Sequence, residues 1–252
     1  MNYIKGLNER QKEAVLHKEG PLLIMAGAGS GKTRVVTHKI AYLIDEIGVN
    51  PGEILAITFT NKAANEMKVR VKNLIDVDVD LMWMGTFHSI CVRILRRDIG
   101  LIGYDRSFSI YDRDDQITLI KECMKELNLS KDMYKDSYLL SRISEFKNTL
   151  VSPDEFINLN YSDFRERNIG ECYALYEKKL KFYNALDFDD LLIKAVQLLK
   201  ESSRVLKYYQ NRFKYIFVDE YQDTNKIQYQ LVKLLSQVNN NICVVGDSDQ
   251  AI

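Results

Sequence analysis

Leu22-Leu23-Ile24-Met25-Ala26-Gly27-Ala28-Gly29-Ser30-Gly31-Lys32-Thr33 decides how the rest of the chain is read. Four apolar residues make a short strand, a glycine-rich turn follows, and Lys32-Thr33 opens a segment in which Val36, Ile40, Leu43, Ile44 and Ile47 recur on one helical face. Glycines let backbone N–H groups curl around phosphate, and the start of the following helix adds partial positive charge. In such a loop Lys32 reaches the β- and γ-phosphates and Thr33 offers its hydroxyl to Mg²⁺. The consensus P-loop begins with Gly, and Ala26 stands in that place here. The expected cradle is Ala28, Gly29, Ser30, Gly31, Lys32 and Thr33, with Arg34 as an adjoining nucleotide contact.

Working outward, residues 54–58, 81–84, 215–218 and 242–245 repeat the pattern of brief apolar, β-branched or aromatic runs ending at polar turns. Helical periodicity separates several of them, as at Ile227, Leu231, Leu234, Leu235 and Val238. Strand–helix alternation predicts an α/β fold, a parallel sheet with helices on both faces. The run 215–218 ends in Asp219-Glu220, at the strand end where open α/β sheets bind ligands. There Asp219 would hold Mg²⁺, usually through water, and Glu220 would orient and deprotonate an attacking water.

Between 105 and 185 the strand signal stops, and Ile117, Ile120, Met124 and Leu127 follow the plausible caps Asp112 and Asp114. The expected organisation is a sheet domain over 1–104 and 186–252 interrupted by an all-helical insertion over 105–185. A strand at 242–245 followed by a few residues, with no capping helix, reads as a cut inside a larger protein.

Composition limits the partners. The 252 residues carry 35 Lys plus Arg and 35 Asp plus Glu, so no global field attracts nucleic acid or an anionic membrane. Any anionic partner must meet a local patch, and Lys62, Lys68, Arg70 and Lys72 against Glu66 supply one. Cys91, Cys123, Cys172 and Cys243 lack C-x-x-C spacing and read as reduced, buried thiols; His17, His38 and His88 share no metal-ligand spacing. The charged N-terminus is not a secretory signal and no apolar run reaches a membrane span, so the expectation is a cytoplasmic protein without membrane contact.

Seven blocks carry a family resemblance: Leu7-Asn8 with Gln11, the P-loop, Thr58-Phe59-Thr60-Asn61-Lys62-Ala63-Ala64, Gly85-Thr86-Phe87-His88, Leu186-Asp187-Phe188-Asp189-Asp190-Leu191, Asp219-Glu220-Tyr221-Gln222-Asp223 and Gly246-Asp247-Ser248-Asp249-Gln250. In this order they resemble the UvrD/Rep-type superfamily 1 DNA helicases across essentially the whole chain. The resemblance implies a RecA-like ATP-binding domain, truncated at its C-terminal end, with ATP and Mg²⁺ as cofactors. Lys32, Asp219, Glu220 and Gln250 would be catalytic, Gln250 sensing the γ-phosphate, and Gln11 would read the adenine edge. Single-stranded DNA would contact Phe59, Thr60, Asn61, Lys62, Thr86, Phe87 and His88, where aromatic, amide and cationic groups lie together.

The implied parent is a 3′–5′ DNA helicase and translocase of repair or replication, acting on single-stranded and partly duplex DNA. Its second RecA-like domain would lie beyond this chain, which alone would hydrolyse ATP poorly and unwind nothing. A subunit of a helicase–nuclease is an alternative. So is a non-catalytic DNA-binding module, against which Lys32 and Glu220 both count. Arg93, Arg96 and Arg97 read as a solvated basic face, and Asp187, Asp189 and Asp190 as helix capping and packing rather than a metal site.

Overall fold

The computed structural model describes residues 3–27, 29–160 and 162–247. Its strands are β1 (Leu22–Met25), β2 (Ile54–Thr58), β3 (Trp83–Thr86), β4 (Ser109–Ile110), β5 (Ala185–Leu186), β6 (Tyr215–Val218) and β7 (Ile242–Gly246). Five form one sheet in the order β1-β7-β6-β2-β3, with every neighbouring pair parallel. Parallel neighbours need crossover connections, which the intervening helices provide, so the fold is the α/β arrangement expected. All five C-terminal strand ends consequently share one edge, where the motif residues are delivered.

Burial explains the strand composition. Ile54, Leu55, Ala56 and Ile57 of β2 are 0% exposed, as a central strand covered on both faces requires. Ile54 and Ala56 join a core with Phe217, Cys243, Val245 and the inner faces of the helices Lys32–Asp45 and Asn61–Lys72. The Trp83 ring of β3 packs edge-on against Tyr209 and Phe213, with centroids 5.7 and 5.2 Å away. β1 and β3 are the two edge strands among the described residues, and β1 leaves Leu23 and Met25 exposed.

Local chemistry moves some expected boundaries. Leu81 falls in a 3₁₀ turn, Val79–Leu81, because the Asp78 side chain accepts from the Asp80 N–H and starts that turn before β3. The Glu46 and Ile47 N–H groups both bond to the Tyr42 carbonyl and close the helix Lys32–Asp45, leaving Ile47 beyond the buried stripe. Val238 likewise lies past the helix Lys226–Ser236 and is exposed. Lys39, on the buried side of Lys32–Asp45, donates to the Ala14 and His17 carbonyls, and burial lowers its pKa to about 8.

Two compact units emerge. The first holds the described residues up to Ile90, Ser202–Thr224 and those from Gln228 onward; the second holds Cys91–Glu201 and Asn225–Ile227. The positions 105 and 185, expected as boundaries, lie inside the second unit.

Within the second unit, the helices Arg113–Glu126, Asp136–Thr149, Pro153–Leu159 and Phe164–Phe182 enclose a core that includes Leu119, Ile143, Phe146, Ile169 and Tyr176. Asp112 caps the first of them, its carboxylate accepting from the Asp114 and Asp115 N–H groups. The unit is not purely helical: β4 and β5 pair in parallel, Ser109 opposite Ala185 and Ile110 opposite Leu186. Two-residue strands are too short to leave a periodic signal in sequence. All four cysteines are buried free thiols. Among the described residues, no helix is long and apolar enough to cross a membrane.

One feature of this unit escaped the sequence. Lys147 is 1% exposed, and its Nζ lies 2.6 Å from Glu177 Oε1, 2.7 Å from Asp187 Oδ2 and 2.9 Å from Asp190 Oδ1. Asp187 also accepts from the Tyr176 hydroxyl at 3.0 Å and from the Asp190 N–H at 2.9 Å. The three carboxylates thus converge on an ammonium group, and Asp187 caps its helix as expected.

Candidate nucleotide and nucleic-acid site

The glycine-rich turn leaves β1 with its backbone tied to β7, Ala26 N–H donating to the Gly246 carbonyl at 3.2 Å. Gly29 and Gly31 adopt φ of 74° and 86°, the left-handed region that residues with a Cβ rarely enter. Gly31 is the N-cap of Lys32–Asp45, and no side chain caps that helix. Its first N–H groups therefore remain available to an anion.

Four expected residues gather around this turn. Lys32 Nζ donates to the Ala26 carbonyl at 2.9 Å and to Asp247 Oδ2 at 3.0 Å. Thr33 Oγ1, from the first turn after β1, reaches Asp219 Oδ2 at the end of β6 across 3.4 Å. Asp219 is buried, and desolvation raises its pKa despite hydrogen bonds from the Glu220 N–H and Thr33 that favour the charged form. Glu220 adopts φ 51° and ψ 46°, a left-handed conformation costly for a residue with a Cβ.

Gln11, the N3 residue of the capping box that starts Glu9–Leu16, lies against the turn with Nε2 3.0 Å from the Ser30 carbonyl. Its Oε1 accepts from the Asn8 N–H at 3.0 Å, so each end of the carboxamide keeps one further donor or acceptor position. The Arg34 guanidinium lies against Gly6, where a Cβ would come within 3.0 Å of its Nη2. Ala28 and Gln250 lie outside the described residues.

The second group sits on the same sheet edge. Asp219 N–H donates to the Ile57 carbonyl at 3.0 Å, fixing the end of β6 beside the end of β2, two residues before Phe59. Thr60 caps Asn61–Lys72 by accepting from the Ala63 N–H, and Thr60, Asn61 and Lys62 are exposed. Phe87, at 2% exposure, packs edge-on against Phe59 with ring centroids 5.5 Å apart. A ring so buried cannot stack on a base, so Phe87 braces Phe59, which is the partly exposed partner. Thr86 and His88 flank it in half-buried positions. The basic patch is partly spent: Arg70 pairs with Glu66 and Lys68 with Asp80, leaving Lys62 exposed at the helix start. In the second unit Arg96 is not simply solvated, since its guanidinium lies 3.8 Å over the Phe108 ring.

Sequence reasoning missed Asp247 as the partner of Lys32, and Gln222, which joins Glu220 to the Asp247 backbone. Both stand within quoted blocks, but nothing in their spacing shows which groups they meet.

A parallel sheet carrying a P-loop sequence at the end of one strand and paired carboxylates at the end of another is the arrangement of the P-loop α/β class of domain. The family model of the UvrD/REP helicase N-terminal domain matches residues 7–252, and the chain belongs to this family. It is 52% identical over 249 residues to the ATP-dependent DNA helicase PcrA of Staphylococcus epidermidis strain RP62A, covering 99% of this chain and 34% of that protein. To PcrA of Staphylococcus aureus strain Mu50 it is 52% identical over 246 residues, 98% of this chain and again 34% of the relative. The chain therefore spans about a third of the length of these relatives.

Proposed function

We propose that this chain is the ATP- and single-stranded-DNA-binding part of an ATP-dependent 3′–5′ DNA helicase and translocase. The observation that carries the reading is the convergence of Thr33 and Asp219, 3.4 Å apart, beside Lys32 and Glu220. The pairing of a hydroxyl with a buried carboxylate of raised pKa suits a hard divalent cation, so Thr33 and Asp219 would hold Mg²⁺, which when bound neutralises phosphate charge.

ATP binding replaces the Lys32–Asp247 pair by contacts between Lys32 and the β- and γ-phosphates, while the uncapped helix N-terminus receives phosphate oxygens. Gln11 reads the adenine edge through its remaining donor and acceptor. Arg34 contributes a nucleotide contact, and Gln250 senses the γ-phosphate. Glu220 orients water in line with the γ-phosphorus and takes its proton as the new P–O bond forms and ADP leaves.

Single-stranded DNA lies along Phe59, Thr60, Asn61, Lys62, Thr86 and His88, with Phe87 as support. The hydrogen bond from the Asp219 N–H to the Ile57 carbonyl, which joins the ends of β6 and β2, supplies a short route between nucleotide state and DNA grip. In the parent, closure against a second RecA-like domain would move the strand and supply arginines to the phosphates. A residue of that kind contributes about 10³ to 10⁵ in rate in related phosphoryl transfers, so this chain alone hydrolyses slowly.

The test is titration of a fluorescent ATP analogue with Mg²⁺ into the chain and into Lys32→Ala, with and without single-stranded DNA. Binding lost in the variant supports the reading. Equal binding by both chains overturns it.

A further inference from the structure

From the hydrogen bonds around Glu220 we infer that Gln222 is a positioning residue for ATP hydrolysis, its carboxamide aiming the Glu220 carboxylate and tying it to the end of β7. The inference rests on the function proposed above and adds to it a residue that the P-loop and the two strand-end carboxylates do not account for.

Gln222 Nε2 donates to Glu220 Oε2 at 2.8 Å, and Gln222 Oε1 accepts from the Asp247 N–H at 3.0 Å. A carboxamide can donate to a carboxylate through its NH₂ and accept from an N–H through its oxygen at the same time, so it bridges the two groups with separate atoms. The orientation is fixed by its neighbours: turned over, the amide would set oxygen against carboxylate and NH₂ against N–H. Gly246 leaves the room this needs, because a Cβ there would lie 3.2 Å from Gln222 Oε1.

The arrangement answers a problem set by the backbone. Glu220 is held left-handed at φ 51°, in a short turn whose next element is the 3₁₀ helix Tyr221–Asp223. Such a residue keeps a single orientation only if its surroundings impose it. The Asp219 carboxylate accepts from the Glu220 N–H at 3.0 Å and fixes the main chain, while Gln222 fixes the side chain. One carboxylate oxygen is occupied by the amide, and Oε1 is the oxygen left to orient water. Through its Oε1, Gln222 reads the backbone of Asp247, whose carboxylate pairs with Lys32. A nucleotide that draws Lys32 away acts on the residue to which the amide is anchored, so phosphate occupancy and the aim of Glu220 are mechanically linked.

The experiment uses the full natural chain that contains these residues, measuring DNA-stimulated ATP hydrolysis and nucleotide affinity for wild type, Gln222→Met, Gln222→Glu, Glu220→Gln and the double variant Glu220→Gln/Gln222→Met. Losing a hydrogen bond to a charged group predicts a fall in kcat of about ten- to a hundredfold in Gln222→Met, with KM and nucleotide affinity within about twofold. Gln222→Glu is expected to do no better, since it sets a second carboxylate against the first. In the Glu220→Gln background the Met substitution should cost nothing further, which a merely structural role would not produce. Additive losses in the double variant, or wild-type kcat in Gln222→Met while Glu220→Gln is inactive, overturn the inference and leave the proposed function standing. Undiminished hydrolysis by Glu220→Gln overturns both.

Discussion

Replacing Lys147 by Met removes the one ammonium group at the centre of three carboxylates. Its Nζ stands 2.6, 2.7 and 2.9 Å from Glu177, Asp187 and Asp190, with the lysine side chain 1% exposed. The lysine also joins the helices Asp136–Thr149, Phe164–Phe182 and Phe188–Glu201, which contribute Lys147, Glu177 and Asp190. Lys194 Nζ, 3.8 Å from Glu177 Oε2, would remain beside the cluster, but Asp187 and Asp190 would lose their close cation; removing one partner of a buried ion pair costs about 3–5 kcal/mol. Whole domains have about 5–15 kcal/mol of stability, so a large fraction would be lost.

The pH dependence follows from Asp190, whose carboxyl is already raised to about 7 by burial, with Lys147 pulling it down and Glu177 and Asp187 pushing it up. A raised carboxyl binds more protons folded than unfolded, so its stabilising effect is full in acid and is lost as pH rises through the folded value. Without Lys147 the raise is larger, so the loss continues to higher pH. The deficit relative to wild type should therefore be about 3–5 kcal/mol at about pH 8 and smaller by about 1 kcal/mol at about pH 5, because pH 8 lies only about one unit above the wild-type value and one unit is worth about 1.4 kcal/mol. Urea unfolding followed by far-ultraviolet circular dichroism at both pH values measures it. A variant within about 1 kcal/mol of wild type at the higher pH, or a deficit that does not shrink in acid, refutes the reasoning.

Two further outcomes are expected. Asp247→Asn should tighten Mg²⁺–ATP binding about three- to tenfold in a fluorescent-analogue titration, because it weakens the 3.0 Å contact that occupies Lys32 and removes a negative charge beside the phosphate site. Gly170→Ala should lower stability by about 1–3 kcal/mol in a denaturant titration, since the added Cβ would lie 2.5 Å from Ile157 Cγ1 and 3.1 Å from Phe156 Cδ1, and packed helices yield little.

Much of the first unit was legible because its signals are local. A strand of four residues, a turn whose glycines must take positive φ, and a helix with one buried stripe are each written within one short segment. Asp219 and Glu220 were legible for the same reason: they follow directly on an apolar strand, and strand ends are where parallel sheets bind ligands. Less local features were misplaced or missed. Ile47 and Val238 fit the helical period, yet both lie past the ends of their helices, the first of which is closed by the Glu46 and Ile47 N–H groups on the Tyr42 carbonyl. Phe87 lies in a block of polar and aromatic residues, and only packing beneath Phe59 shows that its ring is not presented.

The sequence alone therefore determined the fold class, the family and the residue types of the candidate nucleotide site, because periodicity and motif spacing act through neighbours along the chain. The tertiary structure decided which groups satisfy one another. It paired Lys32 with Asp247, set Gln222 between Glu220 and β7, and surrounded Lys147 with carboxylates 30, 40 and 43 positions away, at Glu177, Asp187 and Asp190. A buried charge or amide must find a partner wherever the fold brings one, and separation along the chain carries no trace of that requirement.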